Sequence, residues 1–563
     1  MNDDQERQEI RLRVTGMTCD SCATHVRDAL ATVDGVLLVD LPSWKSESVR
    51  VITEAQVSKE KLAEAVKRAG YTTDLVDERI SGARPVMILF PKQSGYDIVV
   101  IGTGGAGVAA SVTAAELGYR VALVERGVIG GTCVNIGCVP SKVLVRAAAS
   151  FHNAKNNPFR GVETRSGTVS WNLLVQQKDE LVASLRQEKY VNVINAYSDK
   201  ITLLRGDAKL TSDGRVILDG KEELSPSRIV IATGARPRLL QVEGMSGTEI
   251  LTSTSLMELD RLPKSLLVIG GRSIALELGQ ALSRFGTKVT ILQRSNTVIP
   301  AHEPEIAEAL AGYLREEGLD IVTGVSVVSI SGSDRKRVVA EVDGERREFT
   351  AEQILMAVGR TPNTQNMGLE DAGVELDENG FIRVDSQMRT SNEKVLAAGD
   401  VTTLPKFVYV AAASGSIASE NALTASAREL DLTALPGIIF TSPQVATVGL
   451  TEAEAKAAGH NVTVSLLPFK HVPRAIVAHD IRGLIKLVAD VESNVLLGAH
   501  VLAEEAGEVI QTAAMAIRMG AEHGFTVSDL QRMLFPYLVQ VEGLKLAALA
   551  FDKDVSKLSC CAG

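Results

Sequence analysis

The sequence predicts an α/β chain: two Rossmann-like nucleotide-binding folds, a small ferredoxin-like βαββαβ unit ahead of them and an α+β interface domain behind them. Three observations lead there. A continuous apolar strand, Asp97–Ile101, runs into Gly102-Thr-Gly104-Gly-Ala-Gly107 and an alanine-rich helix. A second strand, Leu266–Ile269, runs into Gly270-Gly271-Arg272-Ser-Ile-Ala275 and another helix. Residues 10–80 carry a different rhythm, short alternating strands between amphipathic helices. The expected organisation is a first unit over 1–80, a linker over 81–95, a nucleotide fold over 96–237, a second over 238–355, a return to the first over 356–430, the interface domain over 431–550 and a tail over 551–563.

The first unit reads as strand Ile10–Val14, helix Cys22–Thr32, strands Val36–Asp40 and Ser48–Ile52, helix Lys59–Ala69 stopped at Gly70, and a short last strand. That order is ferredoxin-like. Ser81, Gly82, Pro85, Pro91, Ser94 and Gly95 then break any periodicity, as a linker does.

In the next segment Gly102, Gly104 and Gly107 have the G-x-G-x-x-G spacing between strand and helix. The first glycine permits the turn, the second lets backbone approach a pyrophosphate, and the third lets helix and strand pack closely. The phosphates would face a helix N-terminus, which favours anions. Glu125 ends the following strand, Val121–Val124, at the spacing of a ribose contact. In the second loop Gly270, Gly271 and Ala275 keep the frame, but Arg272 replaces the middle glycine. A side chain there should crowd the pyrophosphate, so an adjusted loop is expected. Gln293-Arg294 follows the next strand, Val289–Leu292; a neutral residue plus arginine suits the 2′-phosphate of NADPH. Two such folds imply two nucleotides.

Composition narrows the function classes. The chain has 563 residues, enough for several cores, and a net charge of −10 with no basic block, which argues against nucleic acid or an anionic membrane as partner. Its start lacks the basic and apolar regions of a signal peptide, and no apolar run approaches the roughly 20 residues of a membrane span. The cytoplasm is the expected compartment, where a close cysteine pair is more often functional than structural.

The six cysteines form three such pairs: Cys19/Cys22, Cys133/Cys138 and Cys560/Cys561. Pairs this close suit soft-metal ligands or redox partners. Thr132-Cys133-Val-Asn-Ile-Gly-Cys138-Val-Pro-Ser-Lys142 resembles the redox-active segment of the flavin-dependent pyridine nucleotide-disulfide oxidoreductases. Ile231-Ala-Thr-Gly-Ala235, Ala357-Val-Gly-Arg360-x-Pro-Asn363 and Ala398-Gly-Asp400 extend the resemblance from about Tyr96 to Ala550. It implies FAD on the first loop and a homodimer, because the family builds its active site across a two-fold interface. It implies that Cys138 faces the flavin, that Cys133 exchanges with substrate, and that Lys142 sits beside the flavin. Asp400, Gly127, Thr132, Ala208 and Val408 would line the FAD site.

The resemblance breaks at one position. The family's His-Pro-Thr segment supplies a proton to a departing thiolate; here the text is Leu534-Phe535-Pro536-Tyr537, with Phe535 at the histidine position. Phenylalanine moves no protons, so the expected substrate is one reduced at thiolates without a thiol leaving group. Gly16-Met17-Thr18-Cys19-x-x-Cys22 resembles heavy-metal-associated domains, although C-x-x-C alone also occurs in thioredoxin-type motifs. Together with the tail pair Cys560/Cys561, these features resemble the mercury-reducing branch of the family. That implies Hg(II) as substrate, arriving as thiol complexes or from mercury-donating proteins, collected at Cys19/Cys22, received at Cys560/Cys561 and held at Cys133/Cys138. Tyr190 and Tyr537 match tyrosines beside that metal site, and each could equally be a packed aromatic. Two rivals stand beside this reading: a disulfide or thioredoxin-type reductase using the tail pair as an electron relay, and a soft-metal chaperone with an inactive oxidoreductase body.

Overall fold

In a computed structural model of the chain the structure describes residues 7–17, 20–41, 48–54, 57–75, 95–554 and 557. They belong to two units, Met1–Val86 and Met87–Gly563. The expected linker lies almost wholly outside the described residues, as does most of the tail.

In the first unit, alternation puts Ile10, Leu12 and Val14 of the strand Arg7–Thr15 on the buried face. The strand lies inside an antiparallel sheet ordered Val36–Asp40, Ser48–Glu54, Arg7–Thr15, Thr72–Leu75. The helices Asp20–Ala31 and Lys59–Arg68 close the core with Val26, Leu30, Leu62 and Val66. Helix Lys59–Arg68 starts on Ser58, whose hydroxyl accepts from the Lys61 N–H.

The second unit holds three sheets that matter for the site. The first is parallel, ordered Val395–Ala397, Arg228–Ile231, Ile98–Ile101, Val121–Glu125, Ile201–Arg205. Its central strand Ile98–Ile101 is buried throughout, which is why it reads as an unbroken apolar run. Its strand Val395–Ala397 comes from far along the chain, so this fold is discontinuous in sequence. The second sheet is also parallel, ordered Asp320–Val322, Lys288–Leu292, Ser265–Ile269, Gln353–Met356. The third is antiparallel, ordered Gly437–Ile439, Gln444–Gly449, Leu496–Ala503, Leu484–Asp490, Val462–Pro468. The helix Ala506–His523 packs on it through Val509, Ile510, Ala513 and Ile517.

Buried ion pairs tie the second and third sheets together. Lys486 Nζ, 3% exposed, lies 2.8 Å from Glu303, 2.9 Å from Glu305 and 2.8 Å from Glu452. Glu317 bridges Arg284 at 2.8 Å and Arg482 at 2.9 Å. Such pairs fix geometry more than they add stability, because each charge has lost its water. Among the described residues no helix is long and apolar enough to cross a membrane.

Candidate functional site

The first glycine loop is shaped by what presses on it. Gly102 has φ +109°, and a Cβ there would stand 2.4 Å from the Ala232 carbonyl oxygen. At Gly107 a Cβ would come within 1.8 Å of the Gly102 oxygen, so helix Gly105–Glu116 could not approach its strand with any side chain there. Glu125 is held by the loop: Oε2 accepts from the Thr103 N–H (3.1 Å) and hydroxyl (2.6 Å), and Oε1 from the Gly127 N–H (2.7 Å). No side chain caps the helix at Gly104, which leaves its first N–H groups open to an anion.

Asp400 arrives beside this loop on the turn Gly399–Val401, where a Cβ at Gly399 would stand 3.0 Å from Ala106 Cβ. Its carboxylate has no hydrogen-bond donor among the described residues, and burial pushes its pKa up. The buried Arg360 Nε lies 3.6 Å from it, an ion pair without a hydrogen bond, while Arg360 Nη2 donates to Thr132 (3.4 Å) and to the Ala235 carbonyl. Val408 opens the uncapped helix Val408–Leu423, with its Cγ2 3.3 Å from where a Gly105 Cβ would be. Gly127 is exposed beyond Glu125, and Ala208 begins the strand Ala208–Leu210 two residues after Gly206, whose N–H meets the Glu125 carbonyl. A carboxylate with open acceptors beside an uncapped helix start fits a ligand that carries both hydroxyls and phosphates, as FAD does.

The cysteine pair sits on two helices that meet at Gly137. Cys133 lies on Gly131–Ile136, and Cys138 opens Cys138–Lys155. A Cβ on Gly137 would be 2.9 Å from the Thr132 oxygen and 3.3 Å from Cys133 Cα, so glycine is what lets the two thiols meet. Neither is in a disulfide in this structure, and the two side chains are near enough for the Cys133 thiol to hydrogen-bond a Cys138 thiolate. The bond from Cys133 is the main reason the Cys138 pKa falls to about 7; burial opposes it, and the Lys142 ammonium lowers it further. Cys133 is pushed up by the same bond, by burial and by the charge on Cys138. Lys142, one helical turn after Cys138, donates to Glu277 Oε2 at 2.6 Å and lies 4.6 Å from the centre of the Phe440 ring. Glu277 is itself buried, and its Oε1 accepts from the Phe440 N–H at 2.9 Å.

Tyr190 stands beside this pair. It lies on a single π-helical turn, Gln187–Val191, between the helices Trp171–Arg186 and Asn192–Ala196. Burial and then the charges of Cys133 and Cys138 raise its pKa. Arg186, just before the turn, donates to Asn135 Oδ1 at 3.2 Å, and Asn135 donates to the carbonyls of Ile129 and Gly131, both at 2.9 Å. The π turn is thus tied to the cysteine helix.

The second loop corrects one expectation. Gly270 has φ +116°, and a Cβ there would stand 2.4 Å from the Ala357 oxygen, much as at Gly102. Arg272 caps the helix Ser273–Arg284 with φ −104° and ψ −172°, close to Gly104 at −71° and −174°. The loop is therefore not adjusted around the arginine; the backbone needs no glycine there, and the side chain is exposed. Gly271 packs on Gln293, whose side-chain carbons would stand 3.0 Å from an added Cβ. Arg294 follows, exposed, and neither arginine has a carboxylate or hydrogen-bond partner among the described residues. An uncapped helix start with two open cations beside it fits the phosphates of NADPH.

Cys19, Cys560 and Cys561 lie outside the described residues. Cys22 is half-buried on Asp20–Ala31, beside Met17 in the core of the first unit. Tyr537 is 50% exposed in the segment between helices Val527–Arg532 and Glu542–Leu549, and Phe535 of that segment packs on the interface-domain core. Sequence reading did not single out Glu277, Arg360 or Thr103. Arg360 stood within a quoted motif and Glu277 two residues past Ala275, yet only folding shows what each meets.

A model of the pyridine nucleotide-disulphide oxidoreductases matches residues 96–415, the dimerisation domain of that family matches 435–548, and the heavy-metal-associated domain matches 11–72. A mercuric reductase of Staphylococcus aureus is 43% identical over 98% of this chain and 99% of its own length. One from Lysinibacillus sphaericus is 42% identical over 99% of this chain and 100% of its own. Among solved structures, the Cu(II) complex of the HOCl-induced flavoprotein disulfide reductase RclA from Escherichia coli is 30% identical, with a TM-score of 0.72, covering 81% of this chain and 99% of that one.

Proposed function

The chain belongs to the pyridine nucleotide-disulphide oxidoreductases, and from that premise we propose that it reduces Hg(II) to Hg(0) at the expense of NADPH. The observation that carries the reading is the Cys133/Cys138 pair brought together across Gly137, with Lys142 one turn beyond, in a chain similar to mercuric reductases from end to end. FAD and NADPH supply hydride transfer and a two-electron reductant next to that pair. Overall, NADPH and Hg(II) become NADP⁺, Hg(0) and one proton.

The residues of the chain divide the work. Two thiolates bind a soft cation in two-coordinate fashion and exchange it with other thiolates, so Hg(II) need never be free. Cys138 is ready to bind at neutral pH, and Cys133 gives up its proton as the metal replaces it. Lys142, held by Glu277, keeps positive charge beside Cys138. Tyr190 presents its hydroxyl to the bound metal. Phe535 supplies no proton, and none is needed, since Hg(0) leaves both sulfurs as thiolates. Cys560/Cys561 receive the ion from solution thiols and Cys19/Cys22 collect it upstream. The matched dimerisation domain supports a homodimer, in which exposed Leu534, Tyr537 and Leu538 would be covered and Tyr537 brought to a metal site.

The test is NADPH oxidation by flavin-loaded enzyme with Hg(II) and excess small thiol, with trapping of volatile mercury. Hg(II)-dependent oxidation with mercury release supports the proposal. Oxidation driven by disulfides but not by Hg(II) would establish the disulfide reductase instead.

A further inference from the structure

The second nucleotide loop carries a cation that its sequence pattern does not call for. Strands Ser265–Ile269 and Lys288–Leu292 are parallel neighbours, with Ile269 paired to Leu292. Arg272 lies three residues past the end of one and Arg294 two past the other, so both leave the same carboxyl edge, where open α/β sheets bind ligands. The contact of Gly271 with Gln293 holds the two exits together. Both arginines are exposed and unpaired among the described residues, and no acidic side chain ends the second strand. An arginine side chain is costly to order for nothing, and two cations leaving one sheet edge favour an anion there.

The ligand has two anionic groups that Arg272 could meet. The pyrophosphate is already served by the uncapped N–H groups at the start of helix Ser273–Arg284. The 2′-phosphate carries nearly two charges, so one arginine leaves it half neutralised. We propose that Arg272 and Arg294 together clamp the 2′-phosphate of NADPH, making Arg272 a cofactor-selectivity residue at the place of the middle glycine. The proposal rests on the NADPH reading above.

The test is calorimetric binding of 2′,5′-ADP and of 5′-ADP to the full-length flavin-loaded protein. The wild-type must bind 2′,5′-ADP more tightly; equal binding would overturn both the clamp and the NADPH reading. R272A should weaken 2′,5′-ADP about 10- to 100-fold, the size of one charge-assisted contact, and flatten its salt dependence. Its 5′-ADP affinity should stay within about twofold. R272K, which keeps the charge but not the fork, should fall between R272A and wild-type. Equal loss of both ligands would place Arg272 on the pyrophosphate, and no loss of either would leave Arg294 alone; each overturns the clamp while leaving the NADPH reading intact. An unchanged flavin content and melting temperature in R272A shows that the variant is folded.

Discussion

The loops Gly102–Gly107 and Gly270–Ala275 turn through nearly the same backbone, with first glycines at φ +109° and +116° and helix caps at φ −71° and −104°. They differ in what lies over them. Gly104 is covered by the start of the cysteine segment: a Cβ on Gly131 would be 2.6 Å from Gly104 Cα. Arg272 is exposed. The middle glycine of such a loop is thus a response to close approach, and backbone conformation does not demand it. A Cβ on Gly104 itself would meet Gly131 Cα at an ordinary 3.7 Å, so the covering backbone restricts longer side chains there and not a methyl; where solvent lies above the loop, an arginine is accommodated. The strand ends differ in the same sense. Glu125 accepts three hydrogen bonds, two from Thr103 of the loop and one from Gly127, while Gln293 is buried under Gly271 and the next residue, Arg294, is exposed.

The largest expected effects come from the first glycines. Gly102→Ala and Gly270→Ala each put a Cβ 2.4 Å from a backbone oxygen at a φ that alanine resists. The strain is about 1–3 kcal/mol before the clash is added. Gly102→Ala should yield protein without flavin, read from its visible absorbance. Gly270→Ala should keep flavin but lose NADPH affinity by roughly 100-fold, as expected for about 3 kcal/mol. Flavin loss in both variants would mean that the two folds are not independent.

Next in size is the join between the folds. Lys142, one turn past Cys138, pairs with Glu277 on the helix that follows the second loop. Lys142→Met removes the ammonium and should raise the Cys138 pKa from about 7 part of the way toward its ordinary value of 9.0. Cys133→Ala removes the larger influence and should raise it further. The sign follows from the acid: in the wild-type, alkylation by iodoacetamide rises through pH 7 as thiolate forms and falls below it. Both variants should shift that rise to higher pH. An unshifted profile in Lys142→Met would remove lysine from the account of thiol activation. Hg(II) capture should weaken in the wild-type over the same pH window.

How much of this was legible follows from how local each signal is. The loops, the cysteine pair and the order of the first unit are contiguous patterns, and the strands they imply fall within a few residues of the observed ones. The contacts that tune the site are not local. Lys142 meets Glu277 across 135 positions, and Arg360 meets Thr132 across 228. No periodicity marks such pairs. The π turn that carries Tyr190 is also silent in sequence, since it interrupts a helix without glycine or proline. Arg272 was visible, but the adjusted loop expected around it is not seen, because the side chain leaves the loop toward solvent without moving the backbone.

The smallest effects test that last point most directly. Gly104→Ala places a Cβ 3.7 Å from Gly131 Cα, an ordinary contact, at a φ that alanine accepts. Arg272→Gly restores the usual glycine at a helix cap, where glycine is tolerated at a few tenths of a kcal/mol. Both variants should therefore unfold within about 1 kcal/mol of the wild-type in urea. They should part company in binding. Gly104→Ala stands where the FAD pyrophosphate would approach and should weaken flavin retention several-fold, about 1 kcal/mol. Arg272→Gly should retain flavin fully and differ only toward ligands bearing a 2′-phosphate. If Arg272→Gly instead lost several kcal/mol of stability, the arginine would be a structural cap, and the two loops would differ in how they are built as well as in what they bind.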